Sequence, residues 1–266
     1  MDALLARGLD ELIGQDPSLT VLLAGDAGLL LQQSLEAYVR ELELFNPAYG
    51  LVGTDSHEEL IIKHILDSLA PLGQIVLALE RENSQIQQGL SEDSQPQQGS
   101  INYSAAQGAQ ELHQAILGKG LLQKAVIADA GTGAGLPGLP LACALPHCKF
   151  TLIERMGRRI GFLQNTLAIL GLQNVRLEQA DIEKARSGPF DLITFRAFRP
   201  LEAPILKALL RLLAPGGKLA AYKGRLDKIR EEMTSIESLI GGWEAFPIHV
   251  PFLHEERHLV IISPTS

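Results

Sequence analysis

Residues 124–142 read KAVIADAGTGAGLPGLPLA, and this stretch decides the fold class. A short apolar run followed by alternating glycines is typical of a buried strand that turns sharply into a helix. Gly131, Gly133 and Gly135 therefore predict a loop whose backbone amides come close to a ligand. Ligands of open parallel sheets bind beyond the carboxyl ends of the strands, so this loop is the first candidate site.

The glycine spacing separates this loop from the dinucleotide-binding fingerprint. That fingerprint reads G-x-G-x-x-G, whereas its third glycine position here is Leu136 and the spacing present is D-x-G-x-G-x-G. Pro137 and Pro140 lack backbone N–H groups, and we expect the helix to begin at about Pro137. A pyrophosphate bound at the start of this helix is therefore disfavoured.

The rest of the C-terminal half alternates short apolar runs with helical stretches, which predicts βαβ units around a parallel sheet. Two final runs follow each other without a helix between them, so we expect them to pair as an antiparallel hairpin. The predicted parallel strands are KAVIADA, KFTLIE, NVRLEQA, FDLITF and GKLAAYK, and the closing pair is WEAFPIHV with HLVIIS.

The N-terminal part is predicted to be helical, with apolar periodicity in residues 29–45 and 58–69. The segment NPAYGLVGTDS at 46–56 predicts a loop, and Asp55 or Ser56 is expected to cap the second helix. Residues 81–110 are rich in Gln, Ser and Gly, which favours a mobile insertion or linker. The chain is thus predicted to divide into a helical region at 1–118 and an α/β domain at 119–266.

Composition narrows the classes of protein that this chain can represent. Its 266 residues are 46% hydrophobic and carry a net charge of −8, which disfavours non-specific coating of nucleic acid but is compatible with a local basic face. The first residues lack a basic region followed by an unbroken apolar stretch, and we see no uncharged apolar run of about 18 residues, so neither a secretory signal nor a membrane span is expected. Cys143 and Cys148 offer neither a disulfide framework nor a four-ligand zinc set. The expectation is a cytoplasmic protein that uses no metal and no membrane.

Glu154 ends the second predicted strand, where the ribose of a ligand bound to a βαβ unit would lie. A carboxylate at this position can accept hydrogen bonds from both ribose hydroxyls. Glu154 and the glycine loop together predict one ligand site.

Several further stretches occur in a fixed order and carry a specific resemblance. They are KHILDSL, DAGTGAGLPGLPLA, FTLIERMGRRIGFLQ, FDLITFRAF, AYKG and ERHLVII, and the matching regions cover about residues 40–70 and 125–262. With them the chain resembles the bacterial RsmG family, also called GidB, whose members transfer a methyl group from S-adenosylmethionine to N7 of a guanine in 16S ribosomal RNA. The resemblance implies a Rossmann-like methyltransferase sheet preceded by a helical cap. It also implies S-adenosylmethionine as cofactor and 16S rRNA or the small ribosomal subunit as partner.

The resemblance also assigns residues to the cofactor site. Glu154 would hold the ribose, although the family usually has aspartate there, and Gly133 belongs to the same loop. The remaining cofactor contacts would fall on Gly131, Leu136, Ile182, Glu183 and Arg196.

Two departures from the family pattern are evident. The loop that family members generally read as a variant of N-x-x-x-N-L-T has Gly50 and Val52 in place of the second asparagine and the threonine. The insertion at 81–110 is not part of the usual pattern. If the missing polar side chains touch RNA, substrate engagement differs in this chain.

Methylation at N7 of guanine makes few demands on acid or base groups. The N7 lone pair is free at neutral pH, so we name no general base, and alignment of the two reactants is the main requirement. Arg158, Arg199 and Lys223 are the candidates for binding RNA. Arg196 is expected in the cofactor pocket, where a carboxylate or backbone carbonyl must hold it because an unpaired cation beside a sulfonium is unfavourable.

Two other patterns imitate catalytic motifs. His254, Glu255 and His258 match H-E-x-x-H, but the flanking residues predict a strand, in which positions four apart lie about 13 Å apart and cannot share a zinc ion. His64, Asp67 and Ser68 supply the residue types of a hydrolytic triad. Since all three lie on one predicted helix, structural hydrogen bonds are the expected role.

The residues leave two alternatives to an RNA methyltransferase. One is a nucleotide- or NAD-binding oxidoreductase on a similar sheet. The other is a non-catalytic ribosome-assembly factor that retains a degenerate cofactor pocket. Binding of S-adenosylhomocysteine but not NAD would favour a methyltransferase over the oxidoreductase. Methyl transfer to naked RNA or to the assembled subunit would favour it over the non-catalytic assembly factor.

Overall fold

A computed structural model describes residues 2–79, 125–196 and 201–265. The predicted insertion at 81–110, the predicted boundary between residues 118 and 119, and Arg199 lie outside the described residues. Those three expectations stay predictions.

The N-terminal region is helical, as predicted. A 3-10 turn at Pro17–Leu19 separates the first two helices. The helices are α1 (Ala3–Gln15), α2 (Thr20–Leu23), α3 (Gly25–Tyr49) and α4 (His57–Leu79). Asp2 caps α1, because its carboxylate accepts hydrogen bonds from the amides of Leu4 and Leu5. Ser56 caps α4 with a hydrogen bond from the Glu59 amide, and α4 contains a π-helical segment at Ile61–Leu66.

The prediction that a loop begins at residue 46 is wrong, because the loop begins only at Gly50. Helix α3 continues through Asn46 and Pro47 to Tyr49 and ends at Gly50, whose φ of 57° is left-handed and whose amide donates to the Asn46 carbonyl at 2.8 Å. The Asn46 side chain then holds the shorter loop, since it donates to the Thr54 carbonyl and accepts from the Val52 amide. Pro47 removes only its own hydrogen bond to the preceding turn, and the Gly50 amide still bonds to Asn46, so the helix ends at the glycine instead.

The C-terminal region alternates strands and helices. Its helix α5 begins at Gly138, one residue after the predicted start. The strands are β1 (Val126–Ala130), β2 (Lys149–Glu154), β3 (Val175–Gln179), β4 (Phe190–Arg196), β5 (Leu213–Lys223), β6 (Gly242–Ile248) and β7 (Arg257–Ser263). The helices are α5 (Gly138–Ala144), α6 (Gly157–Leu170), α7 (Ala203–Arg211) and α8 (Leu226–Ile236).

These strands form a seven-stranded sheet in the order β3-β2-β1-β4-β5-β7-β6. Strands β1 to β5 pair in parallel, while β7 is antiparallel to both β5 and β6. The predicted parallel sheet with a closing antiparallel pair is therefore confirmed. The strand order reverses between β1 and β4, and in open α/β sheets this switch point is where ligands bind.

Alternation along the strands gives the sheet two apolar faces. Ile127 and Leu192 point into a core shared with the N-terminal helices, α5 and α6. Ala128 and Ile193 point to the opposite face, which α7 and α8 cover. The N-terminal helices thus lie directly over the carboxyl-end residues that share the first face, among them Asp129 and Arg196.

Helix α4 is long and apolar enough to cross a membrane by length and composition. In this fold 72% of its most apolar window is buried inside the protein, as in a core helix. Its residues Ile65, Leu66 and Leu69 are fully buried in the core shared with the sheet.

Candidate functional site

The glycine loop joins β1 to α5 and adopts the backbone that its sequence predicts. Gly131, Gly133 and Gly135 have φ values of 65°, 62° and 101°, a region that residues with a Cβ rarely enter. A Cβ on Gly135 would lie 2.5 Å from Leu139 Cδ1, so this glycine is required by packing. A Cβ on Gly133 would have no atom nearer than Arg159 Nη1 at 3.8 Å, so open space lies in front of this residue. We call this space the Gly133 cradle.

Glu154 lies beside the cradle at the end of β2. The carboxylate is 3% exposed, and its two oxygens accept hydrogen bonds from the Gly133 amide at 3.0 Å and the Met156 amide at 2.8 Å. Arg159 Nη1 lies 3.6 Å from the same carboxylate. The predicted pair of glycine loop and acidic residue is therefore brought into direct contact.

Asp129, on β1, holds the glycine loop through hydrogen bonds. No role was predicted for this residue from the sequence. The side chain is fully buried and accepts from the Thr132 hydroxyl at 2.6 Å and the Gly138 amide at 2.8 Å. Burial raises the pKa of Asp129 to about 6, although these hydrogen bonds oppose that rise. The aspartate that opens the D-x-G-x-G-x-G spacing was the available signal for this residue.

Tyr38, on α3, also holds the glycine loop, and it was not predicted as a site residue from the sequence. Its ring is completely buried on α3, and its hydroxyl donates to the Ala134 carbonyl at 2.8 Å. Burial holds the pKa of the Tyr38 phenol well above its ordinary value, so the group is a permanent hydrogen-bond donor. No sequence signal links two residues that lie 96 positions apart.

Ile182 and Glu183 follow β3 in a 3-10 turn. The Ala180 amide donates to the Glu154 carbonyl at 3.1 Å, which brings the start of this segment next to the end of β2. Ile182 is buried, whereas the Glu183 side chain is exposed. Leu136 is 5% exposed at the end of the glycine loop.

Arg196 ends β4 and is held as predicted by a carboxylate and a backbone carbonyl. Its Nη1 donates to Asp67 Oδ2 at 2.8 Å and to the Lys63 carbonyl at 3.0 Å. Its Nη2 donates to His64 Nδ1 at 3.1 Å. Burial and the neighbouring guanidinium lower the pKa of His64 to about 4, so this imidazole is neutral at physiological pH.

A cavity of about 420 Å³ opens beside Arg196, between α4 and the ends of β4, β5 and β7. We call it the basic cavity, because six basic side chains line it and Asp67 is the one carboxylate among its lining residues. The six are Lys63, His64, Arg196, Lys223, Arg257 and His258. Arg257 and His258 were not predicted as site residues.

The predicted RNA-binding residues lie in different places. Lys223 lines the basic cavity, but its ammonium is already paired with Glu232 at 2.8 Å. Arg158 lies outside the cavity lining, exposed at the start of α6, with its guanidinium 5.8 Å from the Tyr49 ring centroid. The structure therefore does not bring the two side chains into one site.

The residues that match the zinc-protease and hydrolytic-triad patterns make structural hydrogen bonds instead. The Ser68 hydroxyl donates to the His64 carbonyl, and Asp67 is bound to two arginines, so no hydrolytic triad forms. His258 lies on β7, and its Nδ1 hydrogen-bonds the Gly224 carbonyl at 2.7 Å. His254 lies in the loop before β7, so the strand predicted to carry both histidines begins only at Arg257. Within residues 2–79, 125–196 and 201–265, no group of three or more metal-ligating side chains occurs. Both cysteines are free, and burial raises the pKa of each thiol to about 12.

The residues around the loop fit S-adenosylmethionine. The Gly133 cradle has room that a Cβ would fill, and the adjacent buried carboxylate retains lone pairs for ribose hydroxyls. Arg159 Nε is buried with no hydrogen-bond partner among the described residues, so the edge of the cradle holds a donor that a ligand can satisfy. This sheet topology, with a ligand cradle at the switch point, defines a Rossmann-like S-adenosylmethionine-dependent methyltransferase.

Comparison with known proteins specifies the family. A family model described as rRNA small subunit methyltransferase G, GidB, matches residues 109–260. A protein named ribosomal RNA small subunit methyltransferase G from Treponema denticola is 38% identical over 238 residues, which cover 88% of this chain and 86% of that protein. The protein of the same name from Klebsiella pneumoniae is 32% identical over 251 residues, covering 92% of this chain and 96% of the relative. The chain belongs to the rRNA small subunit methyltransferase G family.

Proposed function

We propose that this protein transfers the methyl group of S-adenosylmethionine to N7 of a guanine in 16S ribosomal RNA. Membership in the family and the named relatives support this substrate. The structural observation that carries the proposal is the buried Glu154 carboxylate bonded to the Gly133 amide, beside an open cradle. The proposal also includes a cytoplasmic location, in which ribosomal RNA is available.

We assign the cofactor to the Gly133 cradle. Glu154 would accept the ribose hydroxyls, and Arg196 would border the cofactor without carrying an unpaired charge, since Asp67 already neutralises it. The other contacts are proposed at Gly131, Gly133, Leu136, Ile182 and Glu183. When bound, the cofactor supplies an electrophilic methyl group on a sulfonium.

The residues near the cofactor site have to align the guanine more than to move protons. N7 carries its lone pair at neutral pH, and orienting two reactants in line can contribute up to roughly 7–11 kcal/mol to catalysis. Asp67, the one carboxylate lining the basic cavity, has both oxygens bound to arginines at 2.8 and 3.1 Å. Both of its oxygens are thus already occupied by arginine donors, which agrees with a reaction that needs no base.

RNA binding is proposed on basic side chains. Arg158, Arg199 and Lys223 remain our candidates, and the substrate is naked 16S rRNA or the assembled small subunit. Because Lys223 is paired with Glu232, an RNA phosphate would have to share or displace that carboxylate. We therefore expect the smallest loss of RNA affinity from Lys223→Ala.

The test combines methyl transfer with ligand binding. Purified protein is incubated with methyl-labelled S-adenosylmethionine and either naked 16S rRNA or small subunits, both from cells that lack this protein. We expect label in 7-methylguanine at one position, and binding of S-adenosylhomocysteine but not NAD by calorimetry. Cofactor binding without labelled RNA in either substrate would instead identify a non-catalytic assembly factor.

A further inference from the structure

We propose that Arg257 binds a phosphate of the substrate RNA at the mouth of the basic cavity, and that Asp67 is its positioning residue. This inference rests on the proposed function, because it assigns a contact for the same RNA. Arg257 is the first residue of β7, and its side chain lines the basic cavity, where it contacts Asp67 of α4.

Two contacts fix the Arg257 side chain without using all of its donors. Nε donates to Asp67 Oδ1 at 3.1 Å, and Nη1 donates to the Glu256 carbonyl at 3.1 Å. Its Nη2 has no acceptor among the described residues. Since a guanidinium presents its N–H groups in a rigid fork, the remaining donors are held in a fixed direction.

The charges around the cavity single out Arg257 among its cations. Lys63 is paired with Glu59 at 2.6 Å and Lys223 with Glu232 at 2.8 Å. Arg196 and Arg257 share the single carboxylate of Asp67, which can neutralise only one of them.

Exposure decides between the two arginines. The Arg257 side chain is 29% exposed and that of Arg196 is 15% exposed, and Arg196 also spends donors on Lys63 and His64. Arg257 is therefore the guanidinium that a ligand from solvent can reach while Asp67 keeps it in place.

The chemistry of the reaction favours a phosphate over the guanine edge as the acceptor. Arginine usually recognises guanine by donating to both O6 and N7. A donor on N7 would occupy the lone pair that must attack the methyl group, so that pairing would block methyl transfer. A phosphate oxygen accepts charge-assisted hydrogen bonds from the same fork and leaves N7 free.

The experiment compares Arg257→Gln with Arg176→Gln as a matched control. Arg176 is exposed on β3, the edge strand at the opposite end of the strand order, and its replacement removes the same charge. RNA affinity and steady-state methyl transfer are measured across salt concentrations, and S-adenosylhomocysteine binding is measured by calorimetry.

For Arg257→Gln we expect RNA KM to rise about tenfold with kcat nearly unchanged. The slope of log affinity against log salt should fall by about one, and S-adenosylhomocysteine affinity should stay the same. Arg176→Gln should match the unmodified protein in KM. Arg257→Lys should recover only part of the affinity, because an ammonium cannot hold Asp67 and present a fork to phosphate at once.

Other outcomes separate this inference from the proposed function. If the unmodified protein methylates 16S rRNA and Arg257→Gln keeps its KM and salt slope, Arg257 does not bind phosphate. If the unmodified protein transfers no methyl group, the proposed function itself fails. Should Arg257→Gln not fold, Arg257→Lys carries the test, and an unchanged KM in that variant overturns the inference.

Discussion

Gly133 and Gly171 share a left-handed backbone, but only Gly133 borders the cradle. Their φ values are 62° and 64°, and a Cβ added at either meets no atom closer than 3.8 Å. Gly133→Val should abolish binding of S-adenosylhomocysteine, because the side chain fills the cradle while the protein remains folded. Gly171→Val is the matched control and should lose a similar stability of roughly 1–3 kcal/mol but bind the ligand normally. Calorimetry and thermal unfolding of both variants measure the two effects, and normal binding by Gly133→Val would remove the loop from the cofactor site.

Glu154 is the last residue of β2 and Glu178 the second to last of the adjacent β3, and both accept hydrogen bonds from backbone amides. Glu154→Gln should weaken S-adenosylhomocysteine binding by about 1–3 kcal/mol, because the ribose hydroxyls lose a charged acceptor. Glu178 binds the amides of Arg186 and Ser187 away from the cradle, so Glu178→Gln should leave that affinity unchanged. Calorimetric titration gives both values. Equal affinities for Glu154→Gln and the unmodified protein would contradict a ribose contact.

At the scale of elements, α3 contacts the glycine loop through the buried hydroxyl of Tyr38. Tyr38→Phe leaves the Ala134 carbonyl without its donor and should lower the free energy of unfolding by about 1 kcal/mol. It should also weaken cofactor binding several-fold, because the glycine loop loses the hydrogen bond that holds Ala134 in place. Tyr222→Phe removes a comparable buried hydroxyl, which donates to the Ser68 carbonyl, and should cost stability without affecting S-adenosylhomocysteine affinity. Denaturant unfolding and calorimetry check the pair, and equal ligand affinities in both variants would refute the role given to α3.

The junction of α1, α3 and α4 should become less stable as pH rises. His57 at the start of α4 lies 2.6 Å from both Asp2 and Glu43, and hydrogen bonds to these carboxylates raise its pKa above the ordinary 6.5. The stabilisation by protonated His57 is therefore complete below its unfolded pKa of about 6.5 and is lost as pH rises through the higher folded pKa. Since the His57 side chain is 52% exposed, the effect should be small.

His57→Gln tests this dependence. Compared with the unmodified protein, the variant should be less stable at about pH 6 and below, where His57 is protonated. At about pH 9 the two proteins should differ little in stability. Urea unfolding at a series of pH values measures the difference. A difference that does not change with pH would show that His57 acts through packing alone.

At the scale of the whole molecule, a protein of negative net charge has to bind negatively charged RNA, so we expect the RNA to contact only the part of its surface where basic side chains cluster. The net charge of −8 contrasts with the four Lys and Arg side chains that line one cavity. RNA binding should therefore be steeply weakened by salt while cofactor binding is not, since only the RNA releases counterions.

The Gln-, Ser- and Gly-rich segment is expected to contribute little to that surface or to the core. Deletion of residues 84–108 should leave thermal stability and methyl transfer nearly unchanged, because loop-closure entropy changes only slowly with loop length. Thermal unfolding and the labelled-methyl assay measure the result. A large drop in melting temperature would mean that the segment docks on the folded protein.

The sequence by itself determined the sheet, its glycine loop and the acid at the end of β2. These features depend on residues close together in the chain: the short apolar run in KFTLIE, which is buried on both faces of the sheet, the positive φ that Gly131 and Gly133 permit, and the position of Glu154 one strand after the loop. The resemblance carried by the same motifs correctly indicated the family. Local sequence was misleading at Pro47, where a helix continues past a residue that usually ends one.

Only the tertiary structure decided which side chains meet across the molecule. Asp67 joins Arg196 and Arg257 over separations of 129 and 190 residues, and Tyr38 reaches Ala134 over 96. Such pairs leave no periodic or spaced pattern, because they arise when helices of the N-terminal region pack on one face of the sheet. That packing buries Asp129, commits Asp67 to two arginines and leaves Arg257 with free donors. Its physical reason is the burial of an apolar face that neither the helices nor the sheet can cover alone.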